Sequence, residues 1–148
     1  MRGFSQAADN NKAAILEVLA EQLPRQARLI EIGSGAGQHA IHMAATLSHV
    51  LWQPTDVTTV LPMLTSNISE YGAANILSPT ALDLATQEWP AQTYDVVYSA
   101  NVMHIVSTEL GENLIRGAAK MLTADGMLAL YGPFKYEGNF TSSSNADF

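Results

Sequence analysis

The chain contains no cysteine, which excludes a disulfide framework and a thiolate metal site. Cationic side chains are scarce: 7 lysines and arginines stand against 14 aspartates and glutamates, a net charge of −7. That balance argues against nucleic acid and anionic membrane as partners and suits a cationic ligand. No apolar run approaches the ~18 residues that would mark a membrane span, and no charged-then-apolar leader opens the chain. A cytoplasmic protein is expected. There is no internal repeat and no linker, so residues 1–148 are expected to form one domain. With 47% hydrophobic and only 14% charged residues, that domain can bury a real core.

What the chain does have is a run from Leu29 to Ala40 around which the rest is organised. Leu29-Ile30-Glu31-Ile32 reads as a strand. Gly33-Ser34-Gly35-Ala36-Gly37 follows, and then a helical segment. A strand, a glycine turn and a helix N-terminus bring backbone close to a ligand and aim amide N–H groups at it. A dinucleotide fingerprint wants glycine at the position held here by Gln38. The glycines behind Glu31 instead resemble motif I of class I S-adenosylmethionine-dependent methyltransferases.

Strands and helices alternate along the chain. The first helix is expected after caps at Asp9-Asn10-Asn11, with residues 1–8 a loose arm, and Pro24 stops it. Strands are expected at Arg28–Ile32, Val50–Pro54, Ile76–Leu82, Tyr94–Ala100 and Met127–Tyr131. Helices are expected over Ala36–Leu47, over Val57–Tyr71 capped by Asp56, and from Ser107 to about Leu122. Residues 136–148 read as a polar tail. This alternation predicts an α/β fold: a parallel sheet with right-handed crossovers and helices on both faces.

In such a sheet the ligand lies beyond the carboxyl ends of the strands, so candidates are read off strand ends. The first strand leads into Glu31, Gly33, Ser34, Gly35 and Gly37. The second ends at Asp56, whose carboxylate can accept from both ribose hydroxyls or simply cap a helix. The third ends at Asp83 and Leu84, where Asp83 is placed to bind an adenine amine. The fourth ends at Asn101 and His104, facing the reactive end of a cofactor. Asn101 can position a substrate and His104 can act as a general base, or pack as a hydrogen-bonded core residue. His39 can touch the cofactor through the glycine loop. His39 and His42 lack a carboxylate or cysteine partner, and no metal is expected. Tyr131, in Tyr131-Gly132-Pro133-Phe134, is expected to shape the acceptor side.

Longer blocks narrow the resemblance. Ser5–Lys12, Glu31–His39, Trp52–Asp56, Ala100–Ile105, Tyr131–Lys135 and Ser144–Phe148 resemble, in order, the small methyltransferase-like family catalogued as a domain of unknown function. That family is related to methyltransferase-like protein twenty-six. The resemblance implies a Rossmann-like class I methyltransferase core with sheet order 3-2-1-4-5. It implies S-adenosylmethionine (SAM) as cofactor and an unassigned, small-molecule methyl acceptor. Catalytic roles fall on Asn101, His104 and Tyr131. Cofactor contacts fall on Glu31, Gly33, Ser34, Gly35, Gly37, His39, Asp56, Asp83, Leu84 and Asn101.

Two departures stand out. The family carries arginine and proline where this chain has Asn10 and Ala14. Family members also continue past the equivalent of Phe148 through another helix and antiparallel strands. Without those strands the fifth strand becomes an edge, and a homodimer covering it is expected. Two other readings stay open: a non-catalytic cofactor-binding or interaction module, and an NAD(P)-dependent reductase.

Overall fold

A computed structural model describes residues 1–132 except Pro24, Gln87 and 103–105, together with the backbone of residues 135–136 and 139–140. Its centre is β1, Ala27–Ile32, where Leu29 and Ile30 are fully buried on opposite faces of the sheet. A strand apolar on both faces belongs inside a parallel sheet covered on both sides. β2 is Val50–Asp56 and β4 is Tyr94–Ala100; both pair with β1 in parallel. β3, Thr80–Ala81, and β5, Leu122–Tyr131, lie outside them. The order is β3-β2-β1-β4-β5, as the sequence predicts, and every pairing described in this sheet is parallel.

The helices divide between the two faces. α1, Gln6–Gln22, and α2, Gln38–Thr46, bury Ile15, Leu19 and Met43 against Leu29, Trp52 and Tyr98. α4, Thr108–Met121, buries Leu114, Ala118 and Met121 against Ile30, Ile32 and Val97 on the other face. Its start is well specified. The Ser107 hydroxyl accepts from the Leu110 N–H at 3.2 Å, and Glu109 and Lys120 complement the helix dipole at the two ends. α3, Leu61–Tyr71, flanks α2 and presses Leu64 and Ile68 against Gly37.

Several boundaries differ from expectation, each for a local reason. α1 begins at Gln6, because Ser5 rather than Asp9 caps it: the Ser5 hydroxyl accepts from the Ala8 N–H. The expected loose arm over residues 1–8 is therefore corrected. Gln6–Ala8 are helix, and side chains of other elements hold the backbone of Arg2 and Ser5. α3 begins at Leu61, not at Val57. Asp56 Oδ1 takes only the adjacent Val57 N–H, at 2.7 Å, and Pro62 is favoured in the first turn of a helix. The third strand shrinks to Thr80–Ala81 plus an isolated pairing of Ile76 with Trp52, because Pro79 between them has no N–H to donate.

β5 opens earlier than expected, at Leu122 opposite Tyr94. The turn-forming pair Asp125-Gly126 falls at an irregularity before Met127 pairs with Val96. Lys135–Tyr136 and Asn139–Phe140 form a short antiparallel pair, β6 and β7, and all of it but Lys135 lies inside the stretch 136–148 expected as polar tail. The rest of that tail, residues 137–138 and 141–148, lies outside the described residues.

Candidate functional site

The strand order reverses between β1 and β4, and a cavity of about 500 Å³ opens at the carboxyl ends there. Its floor is the loop after β1. Gly33 has φ +75° and Gly35 has φ +55°. At Gly33 an added Cβ would lie 2.5 Å from Val102 Cγ2, so both sterics and conformation demand glycine. At Gly35 a Cβ would meet no protein atom within 4 Å, on a residue that lines the cavity. Gly33→Ala is expected to cost about 1–2 kcal/mol in backbone strain alone. It should lower the melting temperature and, by displacing Val102, weaken ligand binding, whereas an unchanged melt would show that the loop relaxes freely.

Ser34 fastens this loop to two strands. Its hydroxyl donates to Glu31 Oε1 at 2.9 Å and accepts from the Thr55 N–H at 3.1 Å. Its own N–H donates to the Thr55 carbonyl at 2.9 Å. Glu31 Oε1 also accepts from Trp52 Nε1 at 3.1 Å. Its other oxygen has no donor among the described residues, and Glu31 lines the cavity. Burial drives its carboxyl up to about 7, against the lowering effect of the Ser34 and Trp52 bonds. A cationic group entering the cavity would find there an acid ready to ionise.

Asp56 reaches the same floor from β2. Its Oδ2 accepts from the Gly35 N–H at 2.8 Å, so it shapes the loop rather than capping α3. Each oxygen keeps a lone pair for a ligand hydroxyl. Asp83 and Leu84 line the cavity from the β3 side. Asp83 Oδ1 accepts from the Ala85 N–H at 2.9 Å, and Asn113 on α4 holds the Leu84 carbonyl at 3.0 Å. Asn101, after β4, has φ +60° and a buried Oδ1 without a hydrogen-bond partner among the described residues. Its N–H is anchored to the Tyr131 carbonyl at 2.7 Å. Such a strained polar residue beside a cavity fits a ligand-facing role.

The remaining candidates fall elsewhere. His104 lies outside the described residues. The Tyr131 side chain does not reach this cavity; it lines a second one of about 200 Å³, between α1 and the sheet, with Ile15, Leu19 and Tyr98. Gly37 sits behind the loop, against α3, rather than on the cavity lining. His39 does border the cavity, yet its ring is consumed by structural bonds. Nε2 lies 2.8 Å from Asn11 Oδ1 and 3.2 Å from the Ala8 carbonyl, and Nδ1 lies 2.8 Å from the Tyr98 hydroxyl. That network assigns the proton to Nε2, with Tyr98 donating to Nδ1. Burial pushes the imidazole below its usual range and keeps it neutral.

Sequence reasoning missed two residues that complete the site. Gln38 Oε1 accepts from the Ser5 N–H at 2.7 Å, and its Nε2 donates to the Ser5 carbonyl at 3.2 Å. Asn67 on α3 treats Arg2 in the same way, at 3.2 and 2.9 Å, and also donates to the Ala36 carbonyl at 2.9 Å. These pairs draw Gly3, Ser5 and Ala8 over the cavity as one wall. The available signal was Gln38 itself, standing where a dinucleotide loop has glycine.

Known proteins are similar to this chain, one in sequence and others in fold. The highly reducing polyketide synthase sorA of Penicillium rubens is 30% identical over 137 residues, a match that takes in 84% of this chain and 5% of the synthase. The S-adenosylmethionine-dependent methyltransferase SibL, solved in its apo form, superposes with a TM-score of 0.80 at 20% identity, over 95% of this chain and 40% of that one. Coclaurine N-methyltransferase, solved with N-methylheliamine and S-adenosylhomocysteine (SAH), gives a TM-score of 0.66 at 21% identity, over 86% of this chain and 38% of that one. The chain thus spans less than half the length of each. The fold is that of the Rossmann-like class I methyltransferases. The family described as "Protein of unknown function (DUF938)" matches residues 2–148, nearly the whole sequence, and the chain belongs to it.

Proposed function

We propose that this chain binds SAM in the cavity at the β1–β4 switch point and acts as a methyltransferase on a small-molecule acceptor. The observation that carries this reading is the pair of carboxylates flanking the glycine loop. Asp56 has lone pairs for the two ribose hydroxyls, and one Glu31 oxygen, without a donor among the described residues, would take an ammonium group. Asp83 and Leu84 would border the adenine, and the loop between Gly33 and Gly37 would give the ligand close backbone contact. When bound, the cofactor supplies an electrophilic methyl group on a sulfonium. The chain's own task is then to orient the acceptor and exclude water. Asn101 would serve the first, and the wall of Gly3, Ser5 and Ala8 the second.

The fold neighbours support the cofactor assignment, since SibL is named for it and coclaurine N-methyltransferase was solved with its demethylated product. Thermal melts test it. SAM or SAH should stabilise the folded chain by about 2.7 kcal/mol at a concentration about 100 times Kd, because each binds only the folded form. NAD should leave the melt unchanged. A shift with NAD and none with either SAM or SAH would overturn the assignment in favour of a reductase. Cofactor binding without turnover across an acceptor panel would mark a non-catalytic binding module.

A further inference from the structure

Gln38 and Asn67 have an arrangement that a merely structural contact does not require. Each is a buried side-chain amide on a helix, and each makes a donor–acceptor pair with the backbone of one N-terminal residue. A carboxamide offers the same donor and acceptor as a neighbouring strand would. Arg2 and Ser5 are thus paired as in a sheet, but with side chains. The residue between them that lines the cavity, Gly3, has φ +69°, a conformation that favours glycine, and packs against the end of the Met63 side chain. His39 adds the next tie, at Ala8 and Asn11. Asn67 also holds Ala36, so one amide joins the roof of the cavity to its glycine floor.

We infer that Gln38 and Asn67 are positioning residues. They hold residues 2–8 as a strap across the cavity, and this strap must release for ligand to enter or leave. The inference rests on the SAM reading only for the identity of the ligand. The strap is built to open. Met1 to Gln6 are exposed and, apart from the bonds of Ser5 and Gln6 within the first turns of α1, their described hydrogen bonds to the body of the chain are these paired amide bonds. A net hydrogen bond contributes only about 0.5–1.5 kcal/mol, so a few of them make a latch that thermal motion can undo. Gln38 and Asn67 act on the ligand through the strap, setting the rate of exchange more than the affinity.

Two measurements on the full chain test this. Hydrogen–deuterium exchange should show the N-terminal peptide protected in the parent chain and several-fold less protected in Gln38→Ala. Gln38→Glu should restore part of the protection, since a carboxylate still accepts from the Ser5 N–H but cannot donate to its carbonyl. Surface plasmon resonance with SAH should then show both association and dissociation about tenfold faster in Gln38→Ala, with a smaller change in Kd. Asn67→Ala, and deletion of residues 1–4, should behave alike. A structural defect would speed dissociation alone. Faster dissociation without faster association, or an N-terminal peptide that exchanges freely in the parent chain, overturns the inference. If SAH does not bind the parent chain, the SAM reading fails, and the exchange experiment still decides the strap.

Discussion

Replacing Asp56 with alanine is expected to weaken SAH binding by at least about tenfold while the fold persists. The carboxylate has two duties. It holds the Gly35 N–H at 2.8 Å and the Val57 N–H at 2.7 Å, which sets the shape of the glycine loop. It also offers free lone pairs at the place where the proposed cofactor carries two hydroxyls. Hydrogen bonds to a charged group contribute about 1.5–3 kcal/mol each, and about 1.4 kcal/mol is a factor of ten in affinity. Losing one good bond therefore reaches tenfold. The fold should survive because Ser34, not Asp56, ties the loop to β2 through its hydroxyl and its N–H. Asp56→Asn should fall between the two, since it keeps one acceptor oxygen and loses the charge. Calorimetry with SAH measures all three. Equal affinity in Asp56→Ala would reduce the residue to a support for the loop.

The parts of this site that were legible in the sequence are those with a local cause. β4 matched its predicted bounds because Tyr94–Ala100 is a short apolar run between polar stretches. The glycine loop and the acidic strand ends were legible because parallel sheets bind ligands where strands end. The misplaced features have distant causes. Asp56 was legible as a ligand-facing carboxylate, with a helix cap as the alternative, but its bond to Gly35, far away in the chain, was not. Ser5 sits in the stretch Met1–Ala8, which has no apolar periodicity and reads as loose, and what fixes it is a side chain on α2. Gln38, Asn67 and Asn11 are polar residues on helices. Hydrophobic periodicity assigns such positions to solvent, yet all three are buried on partners elsewhere in the chain.

Tyr131 is different, because its placement could have been read. Strand residues alternate between faces. Leu128 and Leu130 pack toward α4, while Met127 and Ala129 pack toward α1. Tyr131 follows Met127 and Ala129, which sends its ring into the second cavity and away from the first. Its contribution to the site is its carbonyl, which anchors Asn101. That backbone bond leaves no trace in residue type.

The largest effect on stability is expected from Glu31 and pH. Burial raises its carboxyl from 4.5 to about 7 in the folded chain. Between those values the folded chain keeps a proton that the unfolded chain has released. Stability from this group is therefore greatest below about pH 4.5, falls as pH rises toward 7, and levels off above that. The total fall is about 3 kcal/mol, since each pKa unit corresponds to about 1.36 kcal/mol. Glu31→Gln removes the titration and keeps an oxygen to accept from Ser34 and Trp52, so its stability should lack this slope. Urea unfolding of both chains at pH 5 and pH 8 isolates the effect, because every other group cancels in the difference. A bound ammonium beside Glu31 would favour the ionised form, so SAH binding at pH 6 should release a proton from the parent chain and none from Glu31→Gln. Calorimetry in two buffers of unequal ionisation enthalpy reads that proton directly. Parallel pH profiles for the two chains would show that Glu31 ionises in the folded chain as it does in water. Glu31 would then add a standing charge to the cavity at neutral pH rather than one that appears when the ligand arrives.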